Sequence, residues 1–114
     1  MKIYIAGKIT NTELTACKEK FAFMEEVLRS IGVVPVNPFK LGCKEHWSFE
    51  QCKPFNFKAI RQCDAIFMLN DYQDSPGSLE ELQEAKRLKL ELYYQYADDI
   101  NTIKDQQNYI NKSY

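Results

Sequence analysis

Ile3, Tyr4, Ile5 and Ala6 form a short apolar run that stops at Gly7, the pattern of a buried first strand. Apolar residues then recur at positions 14, 17, 21, 24, 28 and 31, a spacing that predicts one sticky stripe on a long helix. Thr10-x-x-Glu13 in front of that stripe matches a capping box, and Gly32 behind it suits a helix C′ position. Val33, Val34, Pro35 and Val36 predict a second strand. Pro35 cannot donate to a ladder, so this strand belongs at a sheet edge. Residues 37–53 keep no period and read as a loop with a short turn of helix. Pro54 can open a helix running to about Gln62, with Phe57, Ala59 and Ile60 inward. Ala65 to Leu69 is unbroken apolar chain, which means a strand covered on both faces, as in a parallel sheet. Turn formers from Asn70 to Gly77 lead into a helix carrying Leu79, Leu82, Ala85 and Leu88. Leu90, Leu92, Tyr94 and Tyr96 alternate like a fourth strand near 90–95. Ala97, Ile100, Ile103 and Ile110 fit a terminal helix.

Strands alternating with helices predict a doubly wound α/β sandwich, formed by residues 1–114 as a single domain. The Pro35 strand at one edge suits a parallel sheet of four or five strands, with the order 2-1-3-4 for the four. That order reverses between strands 1 and 3, and open α/β sheets bind ligands at such a point, beyond the strand C-termini. The loops Gly7–Asn11 and Asn70–Glu81 converge there. Both run into helix N-termini, whose free N–H groups and dipole suit an anion.

Charge narrows the partners. Fifteen Lys and Arg face sixteen Asp and Glu, a net charge of −1, so there is no basic excess for a nucleic-acid clamp or an anionic membrane. No apolar run approaches the length of a membrane span, and MKIYIAGKIT turns polar too soon for a signal peptide. Without a secretory signal, the scattered Cys17, Cys43, Cys52 and Cys63 read as reduced thiols in a cytoplasmic protein. Cys43-x2-His46-x5-Cys52 is not a usual zinc spacing and lacks a fourth ligand, so no metal is expected. Neither a dinucleotide glycine fingerprint nor a P-loop occurs, so no cofactor is expected either. An excess of large apolar residues, Phe39, Phe49, Phe55, Tyr72, Tyr93, Tyr94 and Tyr96, predicts a homodimer or higher homo-oligomer.

In Asp74-Ser75-Pro76-Gly77-Ser78-Leu79-Glu80-Glu81, Gly77 allows a close backbone approach while Ser75 and Ser78 can bond an anion or cap the helix. The residues alone leave several roles open. Ser78-x-x-Glu81 is also a capping box, and Ser75 before Pro76 also reads as an N-cap. Asp64 can simply cap or turn at the start of strand three, Tyr4 can be core, and Trp47 can cover either core or cleft.

Read in order, these residues resemble the nucleoside 2-deoxyribosyltransferase superfamily, in its small bacterial and phage branch. The motifs are Ile3-Tyr4-Ile5-Ala6-Gly7, Asn37-Pro38, Trp47, Cys63-Asp64-Ala65-Ile66 and Tyr72-x-x-Ser75-x-Gly77-x-x-x-Glu81-x-x-x-Ala85. The resemblance covers roughly residues 2–95 and implies a flavodoxin-like three-layer sandwich that cleaves or exchanges an N-glycosidic bond. It implies Glu81 as nucleophile, oriented by Tyr4, and Ser75 on a 5′-phosphate. Lys8, Thr10, Gly7, Gly77, Trp47 and Asp64 then fall at substrate-binding positions. The expected partner is a nucleoside or nucleotide. Asn56 stands where active relatives often carry an aspartate that protonates the base or orients the sugar, and Gln83 replaces a usual glycine. Asparagine cannot deliver a proton at neutral pH. Alternatives are therefore a catalytically inactive nucleotide sensor or sequestering module on the same cleft, and a scaffold acting through the segment Tyr93–Tyr114.

Overall fold

The computed structural model describes residues 1–44 and 47–112. Four strands, β1 (Lys2–Ala6), β2 (Val34–Val36), β3 (Ala65–Met68) and β4 (Glu91–Tyr94), pair in parallel in the order β2-β1-β3-β4. The expected sheet order and edge position of Pro35 are therefore met, with four strands. β1 is bonded on both sides, Tyr4 standing opposite Val36 and Ile66. At the far edge the Tyr94 amide donates to Asp99 Oδ2 at 2.8 Å, which occupies a group that would otherwise invite another strand.

Helices α1 (Leu14–Ser30) and α4 (Asp99–Lys112) accompany one face of the sheet, and α2 (Phe49–Ile60) and α3 (Pro76–Arg87) the other. Strand alternation divides the core accordingly. Ile3, Ile5, Ala65 and Phe67 join Phe21, Met24, Leu28 and Ile103. Tyr4, Ala6, Ile66 and Met68 join Ile60, Tyr72, Leu82 and Ala85. The result is a three-layer, flavodoxin-like sandwich.

Helix starts differ from the sequence expectation. Glu13, not Thr10, caps α1, its carboxylate accepting from the Thr15 and Ala16 amides at 3.1 and 2.7 Å. Asn11 at φ 61° and a Thr12 hydroxyl bonded to the Ile9 carbonyl hold the preceding residues in a turn. Likewise α2 opens at Phe49 rather than Pro54, because Ser48 and Gln51 form a reciprocal capping box. Pro54 lies inside the helix and has no N–H for the Glu50 carbonyl. Ser75 caps α3 through the Ser78 amide at 3.1 Å, with Pro76 at the first helical position. Ser78-x-x-Glu81 is therefore not a capping box. Of the apolar residues on α3, Leu79 is exposed; the inward row is Ser78, Glu81, Leu82 and Ala85.

Tyr72 and Tyr93 are buried within the monomer, which removes them from the argument for association. Phe23, Phe55 and Tyr96 remain exposed, whereas Tyr114 lies outside the described residues. The cysteine expectation also changes, since Cys43 and Cys52 are joined as a disulfide with Cα atoms 5.4 Å apart, while Cys17 and Cys63 are free and buried. His46 lies outside the described residues. No described helix is long and apolar enough to cross a membrane.

Helices α1 and α3 end in Schellman motifs. After α1, Gly32 (φ 92°) occupies C′; after α3 the same place falls to Lys89 (φ 60°), with Leu90 N bonded to Ala85 O at 3.0 Å. A side chain there opposes the left-handed backbone. Lys89→Gly should raise unfolding free energy by about 0.5–1 kcal/mol in urea denaturation, with the m-value unchanged.

Candidate functional site

Glu81 lies on the core-facing row of α3 and is 5% exposed. The Tyr4 hydroxyl, projecting from the central strand β1, donates to its Oε2 at 2.6 Å. Burial raises the Glu81 pKa from 4.5 to about 7, while hydrogen bonds from Tyr4 and Asn56 oppose that rise and nearby Glu80 adds to it. Tyr4 has no exposed surface, and burial together with the Glu81 charge lifts its own pKa well above 10, so the phenol stays a donor.

Two other buried carboxylates make the contrast. Glu25 is approached by Lys40, Arg29 and Asn37; burial pushes its pKa up, but these partners prevail and hold it below the ordinary value. Glu84 takes Arg87 and Arg61, and the Arg87 hydrogen bond foremost lowers its pKa. Both are ion-paired supports: Glu25 fixes the turn Pro38–Lys40 to α1, and Glu84 ties α3 to the end of α2. Among the hydrogen bonds described for Glu81, the donors are neutral. A carboxyl buried without a cation and titrating near neutrality is arranged for chemistry more readily than for stability.

Asn56, 6% exposed on α2, connects this carboxyl to a cavity of about 140 Å³. Its Oδ1 is buried without a hydrogen-bond partner, as is Ser78 Oγ. Unsatisfied buried polar atoms are uncommon and costly, and of these two residues only Asn56 lines the cavity, where a ligand could meet it. The cavity runs between Ile9, Thr10, Leu14 and Lys18 on one side and Pro38, Phe39, Cys43, Lys44, Trp47, Phe49 and Cys52 on the other. Trp47 stacks obliquely on Phe55 with ring centroids 5.6 Å apart.

The structure thus brings Tyr4, Asn56 and Glu81 together, and puts Thr10 and Trp47 in the adjoining wall. Ser75 is buried beside the start of α3. Gly77 there is covered by an aromatic ring: a Cβ would meet Phe49 Cδ1 at 2.7 Å. Gly7 is equally tight, since a Cβ would lie 2.7 Å from Leu69 Cδ1. Lys8 contributes its backbone to the joint between the two loops. Its amide donates to Asp71 Oδ1 at 3.0 Å, and Lys20 Nζ reaches both the Lys8 carbonyl and Asp71. Asp64 is not brought to this cluster; it precedes β3 at the opposite end of the sheet and accepts from the Lys2 amide at 2.8 Å. Phe49, which the sequence reading assigned to an oligomer surface, and the Cys43–Cys52 pair, which it read as reduced thiols, are wall residues that it did not place at the site. The Ser48-x-x-Gln51 box was the available signal for Phe49, because it starts α2 early enough to place that ring. Among the described residues, no group of three or more His, Cys, Asp or Glu could hold a metal ion.

Residues 1–94 match the model of the DUF4406 family, described as a domain of unknown function. The chain belongs to that family. No curated protein matches it. Among solved structures it is similar to a 2-desoxiribosyltransferase from Leishmania mexicana, at 22% identity and a TM-score of 0.61 over 82% of this chain and 62% of that one. It is also similar to the CMP N-glycosidase BcmB of Clostridium botulinum, at 17% identity and a TM-score of 0.57, covering 90% of this chain and 82% of that one. This DUF4406 chain therefore has the fold that the residue pattern suggested, and spans less than two-thirds of the first protein's length.

The raised pKa makes a stability prediction. Folded Glu81 holds its proton to about pH 7, whereas an unfolded glutamate releases it near 4.5. Between those values the native state binds more protons, so this group's contribution falls as pH rises. Wild type should lose stability relative to Glu81→Gln from about pH 4.5 to 7, by on the order of 3 kcal/mol in all. Paired urea titrations across pH read this, and parallel curves would contradict it.

Proposed function

We propose that this protein cleaves or exchanges the N-glycosidic bond of a nucleoside or nucleoside 5′-monophosphate, with Glu81 as nucleophile. The observation that carries the reading is the buried Glu81 carboxyl, held at 2.6 Å by the Tyr4 hydroxyl and joined through Asn56 to a cavity of about 140 Å³. The two structural neighbours, titled a 2-desoxiribosyltransferase and a CMP N-glycosidase, support the same class of substrate.

Ionised Glu81 attacks the sugar's anomeric carbon. The C–N bond breaks, its electron pair leaves with the base, and a glycosyl ester of Glu81 remains. Water then attacks that carbon in hydrolysis, or the N–H nitrogen of a second base does so in transfer; the C–O ester bond breaks to free the carboxylate, and the proton lost by the attacking group is taken up, through solvent, by the departed base. Configuration is retained through two inversions. Tyr4 holds one carboxylate oxygen so that the other is presented in a fixed direction. Asn56 Oδ1 accepts from a substrate hydroxyl or amino group, which satisfies its empty hydrogen-bonding capacity. Trp47 and Phe49 supply flat apolar surface for the base, while Thr10 and Lys8 line the approach. Ser75 Oγ accepts from the Ser78 amide, so its proton remains free to meet a phosphate at the start of α3. For that phosphate to approach Gly77, the Phe49 ring must turn aside. The carboxylate supplies the covalent chemistry itself, so neither metal nor cofactor enters the scheme.

Asn56 also supports a second reading, a cytoplasmic nucleotide sensor or sequestering module. It cannot deliver a proton to the leaving base, and the protein then binds without turnover. Chromatographic detection of released base from a panel of nucleosides and monophosphates separates the two. The enzyme reading expects release by wild type, loss of release in Glu81→Gln with binding retained, and a selective loss of monophosphate affinity in Ser75→Ala. That last loss should be about tenfold or more, as expected for a charge-assisted hydrogen bond. Base release gained only in Asn56→Asp and lost again in the Asn56→Asp/Glu81→Gln double variant identifies the silent form. Inactivity of both wild type and Asn56→Asp across all common bases removes the enzyme reading.

We also infer a homo-oligomer, because Phe23, Phe55 and Tyr96 leave apolar surface exposed on the monomer. Light scattering at high micromolar concentration should give at least a dimer mass; a monomer mass would remove this inference.

A further inference from the structure

We propose that Cys43 and Cys52 are a reversible thiol–disulfide site in the cavity wall, and that bond formation there stiffens the start of α2 around Trp47 and Phe49. This inference does not rest on the reaction proposed for Glu81.

The four cysteines fall into two kinds. Cys17 and Cys63 are buried, Cys17 bonded through its sulfur to the Lys8 carbonyl. Burial foremost raises the Cys63 thiol to a pKa of about 11, which leaves it almost wholly protonated and unreactive at neutral pH. Cys43 and Cys52 are instead half-exposed, and both line the cavity. Their Cα atoms stand 5.4 Å apart, a separation that a disulfide spans without backbone movement.

The effect of the bond depends on the two segments it connects. Cys43 follows Gly42, whose φ is 86° and beside which a Cβ would find nothing within 4 Å. That backbone position is neither crowded nor packed. Cys52 lies in the first turns of α2, nine residues along the chain. The bond therefore fastens the chain just after Gly42 to the helix that carries Phe49 against Gly77. Trp47, between the two sulfurs in sequence, stacks on Phe55. Without the bond, the wall is still held by these ring contacts, by the Trp47 amide donating to the Lys44 carbonyl at 3.0 Å and by the Ser48 cap.

The chemistry balances with a small disulfide as oxidant. One cysteine thiolate attacks a sulfur of glutathione disulfide and expels one glutathione thiolate. The second cysteine thiolate attacks the mixed disulfide at the protein sulfur and expels the other glutathione. The protein pair loses two electrons and two protons, and the small disulfide is reduced to two thiols. A glutathione-rich reducing compartment reverses both steps.

The test is an equilibrium titration of the whole protein in glutathione buffers of stepped ratio. Denaturing alkylation and mass spectrometry read the thiols; Trp47, the chain's one tryptophan, reads the wall by emission and acrylamide quenching. Oxidation should remove Cys43 and Cys52 from the alkylated set in one reversible step, leaving Cys17 and Cys63. Trp47 quenching should fall with the same midpoint, and amide hydrogen exchange at Phe49–Cys52 should slow. Cys43→Ser and Cys52→Ser should each abolish all three changes; the wild-type titration decides the matter even where a variant folds poorly. Four alkylated thiols at every ratio would overturn the site, as would stable glutathione adducts in place of the bond. A bond that forms without changing Trp47 quenching or hydrogen exchange would overturn its effect on the wall.

Discussion

The hydrogen bond from Tyr4 to Glu81 is the constraint around which the α2–α3 face is arranged. A carboxyl this deep in an apolar layer is expensive to charge, and among the described residues the groups acting on it are Tyr4, Asn56 and Glu80, none of them cationic. Its position is nonetheless narrowly set. Tyr4 projects from the strand bonded on both sides, so its hydroxyl moves little relative to the sheet. α3 begins at the Ser75 cap with Pro76 and ends in the Schellman turn at Lys89, which fixes the height of Glu81 above that hydroxyl. Asn56 closes the group from α2. A carboxyl held by neutral donors can exchange a proton near neutrality or attack an electrophile. The ion-paired Glu25 and Glu84 are held in their charged forms by Lys and Arg neighbours and can do neither as readily.

The loops at the strand C-termini depend on equally close fits. Gly7 has no space for a side chain against Leu69, and that contact lets Asp71 reach the Lys8 amide. Lys20 then clamps both loops from α1. On the opposite side Gly77 admits the ring of Phe49, so the helix start offered to an anion is also the place where the aromatic wall rests. One glycine thereby joins the geometry of the cavity to that of α3. The Cys43–Cys52 bond acts on the same wall from outside, since it fastens the loop to the helix bearing that ring.

Period and composition were sufficient for the sheet. Continuous apolar runs at Ile3–Ala6 and Ala65–Leu69, separated by helical stripes, dictate parallel strands, and Pro35 at an edge orders them. Local rules are strong there because burial on both faces leaves few alternative registers. Helix starts were less determinate, because several Ser, Thr and Glu residues offered competing caps. Glu13 prevailed over Thr10 when the residues before it were held in a turn, and Ser48 over Pro54 when Gln51 answered it. Each choice moved a helix start by several residues.

By itself the sequence determined the layer order, the switch point and the helix on which Glu81 stands. Tyr4 beside that carboxyl was implied only by the resemblance; the tertiary structure decided the 2.6 Å contact itself, that Asn56 faces it with an oxygen left unpaired, and that Asp64 stands at the far end of the sheet. It also decided that Cys43 and Cys52 meet in the wall. The physical reason is range. Periodicity and capping act between neighbours a few residues apart, whereas Tyr4 and Glu81 are separated by 77 positions. Which polar groups share a buried space depends on the packing of whole helices on a twisted sheet, and no local pattern encodes that.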